Sequence, residues 1–95
     1  MAAYLIADIT IHDKEKFMEY VKLVPAFIEK HDGKYIVRGG EPEAREGSWE
    51  PKRLIVLEFP SRAKADDFLQ DPGYAPVAAI RHQSATTNLI IADGY

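Results

Sequence analysis

The stretch AAYLIADITIHD, residues 2–13, decides the fold because it contains a complete strand and the start of the helix that follows. Apolar residues alternate along it from Ala3 to Ile11, and this period of two is typical of a strand with one apolar face. Asp13 comes next and is a favoured N-cap residue for a helix. The stretch therefore predicts a strand over 2–11 that leads directly into a helix.

The helix predicted over 14–30 has one apolar face, whose members are spaced by four, three and four positions. The tripeptide HDG at 31–33 predicts its end, with Gly33 free to take the left-handed conformation that closes many helices. The helix is therefore expected to lie with one side against the sheet. The apolar face consists of Phe17, Val21, Val24 and Ile28.

The rest of the chain predicts two central strands, a capped helix, a second helical segment and a last strand. The order strand, helix, strand, strand, helix, strand is typical of the ferredoxin-like α+β fold. It predicts an antiparallel four-stranded sheet in the order 4-1-3-2, with the helices on one face and a single domain over 1–95. The predicted parts are strands over 34–40, 53–59 and 86–93, a helix capped by Ser61 and broken at Asp71-Pro72-Gly73, a helical segment over 74–83, and a loop over 39–52.

Composition excludes several classes of function. The 95 residues are 46% hydrophobic and 28% charged, with a net charge of −3, so there is no basic surplus for holding nucleic acid or an anionic membrane. The chain has no cysteine, which excludes disulfides, thiolate chemistry and cysteine-ligated metal. No apolar run approaches a membrane span, and the N-terminus lacks the pattern of a signal peptide. We therefore expect a cytoplasmic protein.

The second face of the predicted sheet is too apolar to be left in water. A second copy packed sheet against sheet is the simplest cover, so the sequence predicts a homodimer. The apolar residues on this face are Tyr4, Ile6, Ile36, Leu54, Val56 and Ile90.

Several short motifs, spread over nearly the whole chain, resemble an uncharacterised family, DUF-1330, within the dimeric α+β barrel group. The resemblance implies a homodimer whose two sheets enclose a barrel with an interior cavity, and it implies no particular activity. Proteins that share this barrel include cofactor-free monooxygenases, haem-degrading enzymes, dismutase-like enzymes and ligand-binding transcription modules. The motifs are Tyr4 to Thr10 with Asp8 inside, HDGKY at 31–35, RGG at 38–40, EFPS at 58–61, Tyr74 and Arg81.

Polar residues at one end of the second face predict a binding site for a small acid. Alternation and the predicted strand order place Asp8 and Arg38 on that face, with Asn88 and Thr10 close by. Arg38 would bind an anionic group of the ligand, and Asp8 would carry a proton. The alternative is an ion pair between Asp8 and Arg38 that only holds the dimer together.

Three further residues are candidates for the site. Glu58 is expected near the other end of the chamber, as a base or as a partner of Lys34 across the dimer interface. Trp49, in the loop over 39–52, is expected to cover the cavity or to pack on the partner subunit. His31 either contributes to the site or stabilises the end of the first helix through its dipole.

No metal or cofactor site is predicted, because the spacing of His12, His31 and His82 matches no metal motif. Three hypotheses of function follow. The favoured one is a metal-free enzyme acting on a small acidic, aromatic or keto-acid-like compound. The others are a binding or sensing module, and a structural dimer whose chamber is filled. Phenol groups that could donate to a ligand, or belong to the core, are those of Tyr20, Tyr35 and Tyr74.

Overall fold

The chain folds into a four-stranded antiparallel sheet with three helices packed on one face, seen in a computed structural model that describes residues 1–95. The strand order is β2-β3-β1-β4, which confirms the predicted order and the ferredoxin-like α+β fold. None of the helices is long and apolar enough to cross a membrane. The elements are β1 Ala3–Ile11, α1 Lys14–Lys30, β2 Lys34–Gly39, β3 Leu54–Phe59, α2 Arg62–Gln70, α3 Ala75–Ser84 and β4 Ala85–Asp93.

The two predicted helix caps are both present. Asp13 Oδ1 accepts a hydrogen bond from the backbone N–H of Lys16 at 3.1 Å, and Ser61 Oγ accepts one from Lys64 at 3.2 Å. Each side chain satisfies a backbone donor that the first helical turn leaves free. These caps fix where α1 and α2 begin, and so where each strand before them ends.

The end of α1 differs from the prediction, because Asp32 and not Gly33 takes the left-handed conformation, with φ at 62°. Gly33 is needed for another reason. A Cβ there would lie 2.6 Å from Phe59 Cε1 and 3.0 Å from Ile28 Cγ2. The backbone of Gly33 therefore passes directly over the core, where no side chain fits.

The main core lies between the helices and the sheet. Alternate residues of β1 are buried on that face, as the alternation in the sequence predicts. Phe59 and Phe68 are the largest fully buried side chains, and their ring centroids lie 5.5 Å apart. This packing joins α2 to β3 within the core.

Strand β2 contains an irregularity that changes which face its last residues point to. Tyr35 is paired with Leu57 and Val37 with Val56, so the register shifts by one residue between them. Such a bulge moves every later side chain of the strand to the opposite face. Simple alternation therefore predicts the wrong face for the end of β2.

Candidate functional site

Asp8 fastens the long loop before β3 to the open face of the sheet. Its Oδ2 accepts from Trp49 Nε1 at 3.0 Å and its Oδ1 from the backbone N–H of Lys52 at 3.0 Å. The hydrogen bonds from Trp49 and Lys52 hold the pKa of the Asp8 carboxyl below its usual range. Both carboxylate oxygens already have protein donors, so Asp8 is placed to hold the loop.

A shallow groove of about 260 Å³ lies beside Asp8 on the open face. It brings together three of the residues that the sequence assigns to one site, namely Asp8, Trp49 and Asn88. Thr10 is exposed further along β1 and does not line the groove. Apart from those three, the lining consists of Ile6 and Ile90.

The expected position of Arg38 on the same face as Asp8 is wrong. The bulge in β2 pairs Arg38 with Ile55, which faces the helices, and Arg38 lines a cavity on that side. Its guanidinium carbon lies 4.9 Å from the centroid of the Tyr35 ring. The predicted ion pair between Asp8 and Arg38 is therefore absent, because the two side chains lie on opposite faces of the sheet.

Glu58 is held by two neighbours at the other end of the open face. Its Oε2 accepts from the Tyr4 hydroxyl at 3.1 Å, and its Oε1 lies 3.4 Å from Lys34 Nζ. The expected pairing with Lys34 is thus present, but it is made within one chain. The hydrogen bond to the Glu58 carboxylate raises the pKa of Tyr4.

His31 lies in a cluster that joins the end of α1 to the turn between α2 and α3. Its Nε2 is 2.7 Å from Asp71 Oδ2, which Lys30 Nζ also contacts at 2.8 Å. Asp71 Oδ1 accepts from the backbone N–H of Gly73 at 2.7 Å. The hydrogen bonds from Lys30, His31 and Gly73 lower the pKa of Asp71 well below its usual range. His31 does not line the cavity of Arg38.

A second cavity, which the sequence reasoning missed, lies on the helix side of the sheet beneath α1. It has a volume of about 40 Å³ and is lined mostly by apolar side chains. Its lining combines side chains of α1, such as Phe17 and Val24, with side chains of the sheet. The lining residues are Leu5, Ala7, Ile9, Phe17, Tyr20, Val21, Val24, Ile28, Tyr35, Arg38, Arg53, Ile55, Leu57, Phe68, Tyr74, Arg81, Thr87 and Leu89.

Three arginines line this cavity, and none of them has a carboxylate partner. The six ion pairs of the chain involve neither Arg38 nor Arg53 nor Arg81. Arg81 is only 6% exposed, and its guanidinium carbon lies 5.8 Å from the Tyr20 ring centroid. A buried charge ordinarily has a counter-charge, because desolvation is costly. The cavity therefore has an excess of positive charge.

Three tyrosines add hydrogen-bond donors to the same space. The hydroxyls of Tyr20 and Tyr74 lie 2.8 Å apart, and both side chains line the cavity. Burial, reinforced by Tyr74, raises the pKa of Tyr20, and burial likewise raises that of Tyr35. These two phenols therefore stay neutral at physiological pH and can donate to an anion.

The lining holds no Asp, Glu, His, Ser or Cys side chain. Nor does the chain bring together three His, Asp or Glu side chains in a way that could hold a metal ion. Positive charge, phenolic donors and apolar walls are suited to binding an organic anion and to stabilising negative charge on it. The cavity contains no side chain that would take a proton from the ligand.

One sequence signal pointed toward this site. Arg81 follows Val77 by four positions and so lies on the same side of α3, and this helical spacing indicates an arginine among the packed positions of the helix. The phenols of Tyr20, Tyr35 and Tyr74 were candidates both for the core and for ligand contacts, and the structure places all three around one space. The sequence pattern did not reveal the face of the sheet on which Arg38 lies.

The sequence matches the family described as domain of unknown function (DUF1330) over residues 2–95, which is nearly its whole length. The chain belongs to the DUF1330 family. The resemblance drawn from the sequence motifs is thereby confirmed. No curated protein matches the chain.

Solved structures with the same fold have low sequence identity to this DUF1330 chain. A protein of unknown function from Rhodopseudomonas palustris has a TM-score of 0.80 at 18% identity, over 99% of this chain and 82% of that one. SnoaB, a cofactor-independent oxygenase from Streptomyces nogalater, has a TM-score of 0.71 at 14% identity, over 99% of this chain and 93% of that one. A dimeric ferredoxin-like protein of unknown function from Jannaschia sp. CCS1 has a TM-score of 0.72 at 11% identity, over 99% of this chain and 100% of that one. These likenesses concern the fold.

Proposed function

We propose that this protein binds a small organic acid, as its anion, in the cavity beneath α1. One observation carries the proposal, namely that Arg38, Arg53 and Arg81 surround an apolar cavity without any acidic partner. A bound carboxylate or phenolate would supply the missing negative charge, and the two oxygens of a carboxylate would accept bidentate hydrogen bonds from a guanidinium.

The size of the cavity limits how the ligand enters. Its volume is about 40 Å³, whereas an engineered cavity that binds benzene has a volume of about 150 Å³. An acid with an aromatic ring therefore needs a lining side chain to move. Arg38 is exposed at the edge strand and stacks on the half-buried Tyr35, so this pair forms the side of the cavity that opens most easily.

In the catalytic version of this proposal, the protein is a metal-free enzyme that acts on the bound acid. Guanidiniums and neutral phenols stabilise negative charge, so they lower the pKa of an acidic hydroxyl or C–H group on the bound compound. SnoaB, which shares the fold, is a cofactor-independent oxygenase, and this likeness supports dioxygen as the first co-reactant to test. The alternative is a non-catalytic binding module, which is favoured by the lack of a proton acceptor in the cavity lining.

We also propose that two copies pair through the open faces of their sheets. Ile36 and Ile90 are 49% and 58% exposed there, and the Jannaschia protein with this fold is dimeric. Sedimentation should give about twice 10.7 kDa. Ile90→Arg should produce monomers, whereas Leu23→Arg, on the exposed side of α1, should not. A wild-type monomer would contradict the pairing, and so would an Ile90→Arg dimer.

Calorimetric titration with matched acids and amides tests the binding proposal. We expect benzoate or butanoate to bind, and benzamide and butanamide to bind at least about tenfold more weakly, because only the acids carry the charge. Arg81→Met should reduce the difference, because one of the three positive charges around the cavity is lost. Arg62→Met is the control, since Arg62 pairs with Asp93 on the surface at 3.3 Å. Equal binding of acids and amides would contradict the proposal, as would no binding at all. Oxygen uptake with each bound acid then separates the enzyme from the binding module.

A further inference from the structure

Three of the polar residues that line the cavity lie at one end of the sheet. Strand pairing places Arg38, Ile55, Ala7 and Leu89 in one row across the four strands. The next row contains Arg53, whose carbonyl accepts from the N–H of Ile9, followed by Ile9 and Thr87. Two neighbouring rows thus hold both sheet arginines and the only threonine of the lining.

Two side-chain atoms in the second row have no partner. Arg53 Nε and Thr87 Oγ1 are buried, and they are the only buried side-chain nitrogen and oxygen atoms of the chain without a hydrogen bond. A buried polar group without a partner costs free energy, so such groups are rare unless something else binds them. Both residues line the same cavity, on either side of Ile9.

The backbone at Gly39 makes room for the Arg53 guanidinium. Gly39 has φ at +84°, and a Cβ there would lie 2.9 Å from Arg53 Nη1. On another side the guanidinium carbon lies 5.9 Å from the centroid of the Phe17 ring. Glycine and ring hold the guanidinium in place, while its Nε–H keeps no protein acceptor.

We infer that Arg53 and Thr87 form one subsite that selects acids with a second oxygen function, a hydroxyl or an oxo group. The inference rests on the proposed function and adds the substrate class. Arg53 donates from Nε to the carboxylate, and the Thr87 hydroxyl bonds to the second oxygen. Their strands lie on either side of β1, about 10 Å apart at the backbone, so one small ligand lying over Ile9 meets both. Ala7, in the neighbouring row, leaves space for the apolar part of the ligand.

The test compares acids that differ by one oxygen, namely 3-hydroxybenzoate with benzoate and 2-oxobutanoate with butanoate. The wild type should bind the oxygen-bearing member of at least one pair about fivefold more tightly, as expected for one hydrogen bond. A preference within the benzoate pair would indicate an aromatic hydroxy acid as the ligand, and a preference within the butanoate pair would indicate an aliphatic oxo acid. Thr87→Val should reduce the ratio to about one and leave binding of the plain acid unchanged.

Three further variants test the subsite. Thr86→Val is the matched control, because Thr86 is on the open face, where its hydroxyl contacts His12, and it should leave the ratio unchanged. Thr87→Ser should keep the preference. Arg53→Lys keeps the charge but loses the Nε donor, so it should weaken both acids of a pair.

Stability separates a structural role from a binding role. Thr87→Val removes an unpartnered buried hydroxyl, so the melting temperature should stay the same or rise while the preference is lost. If acids bind but the wild type shows no preference, or Thr87→Val keeps it, the subsite is wrong and the proposed function stands. If no acid binds the wild type, both fail.

Discussion

The two faces of the sheet differ in how their charged groups are satisfied. On the open face Asp8 has donors from Trp49 and Lys52, and Glu58 has Tyr4 and Lys34. On the helix face three arginines enclose a cavity and none has a carboxylate partner. A satisfied polar group is explained by the fold itself, whereas a buried group without a partner, such as Arg53 Nε, needs a further explanation, for which we propose a ligand. This difference supports our proposal that the ligand binds beneath the helices.

The largest effect is expected from Arg81→Met, which removes the most buried of the three charges. Affinity for benzoate should fall by about ten- to a hundredfold, because one charge-assisted hydrogen bond contributes about 1.5–3 kcal/mol. The free energy of unfolding should rise by about 1–3 kcal/mol, because methionine fills the site without an unpaired buried charge. Binding is measured by calorimetry and unfolding by denaturant titration. If Arg81→Met both destabilises the protein and leaves binding intact, the arginine is structural.

The second prediction concerns Asp71, whose carboxylate is fully engaged by Lys30, His31 and Gly73. Its folded-state pKa is lowered, so its contribution to stability is present above the ordinary pKa of 3.8 and is lost as the pH falls below it. Asp71→Asn should lower the melting temperature by several degrees at pH 7, and the difference should shrink below about pH 4. Thermal unfolding from pH 2 to 7 measures this. A difference that does not depend on pH would contradict the assignment, as would altered benzoate binding.

Gly39→Ala should have a smaller effect that connects the fold to the site. A positive φ costs a residue with a side chain about 1–2 kcal/mol, and the new Cβ pushes the Arg53 guanidinium aside. We expect lower stability together with weaker benzoate binding. Gly47→Ala is the control, since Gly47 also has a positive φ, at 81°, but a Cβ there meets nothing within 4 Å. If Gly39→Ala and Gly47→Ala bind benzoate equally well, the position of the Arg53 guanidinium does not affect binding.

The smallest effect is expected on the open face. Trp49→Phe removes the indole donor to Asp8 and should cost less than about 1 kcal/mol, because the backbone N–H of Lys52 still binds the carboxylate. Benzoate affinity should not change. Denaturant unfolding and calorimetry measure the two quantities. A marked loss of affinity would move the site to the groove beside Asp8, where the sequence first placed it.

Most of the fold could be predicted from the sequence, because alternation, helical spacing and the caps at Asp13 and Ser61 are local signals. The strand order followed from the order of the elements. The site could not be predicted in the same way. One bulge between Tyr35 and Val37 moves Arg38 to the other face of the sheet, and no residue type in β2 indicates that a bulge occurs there.

Two other features depend on packing between distant parts of the chain. The cavity is lined by side chains from all three helices and all four strands, and the apolar spacing of α1 alone does not reveal how these distant side chains pack around it. Gly33 is required by the ring of Phe59, 26 positions later, and not by the helix end. Long-range contacts of this kind decide where a pocket opens, while local patterns decide which elements form.

Nitrogen-15 NMR of the side chains tests the central claim most directly, because one spectrum reports on both faces. The Nε–H signals of Arg38, Arg53 and Arg81 report the cavity, and the indole N–H of Trp49, the single tryptophan, reports the open face. On titration with 3-hydroxybenzoate we expect the arginine signals to shift and saturate while the Trp49 signal stays in place. A Trp49 signal that shifts while the arginine signals stay unchanged would contradict the account and place the ligand on the open face.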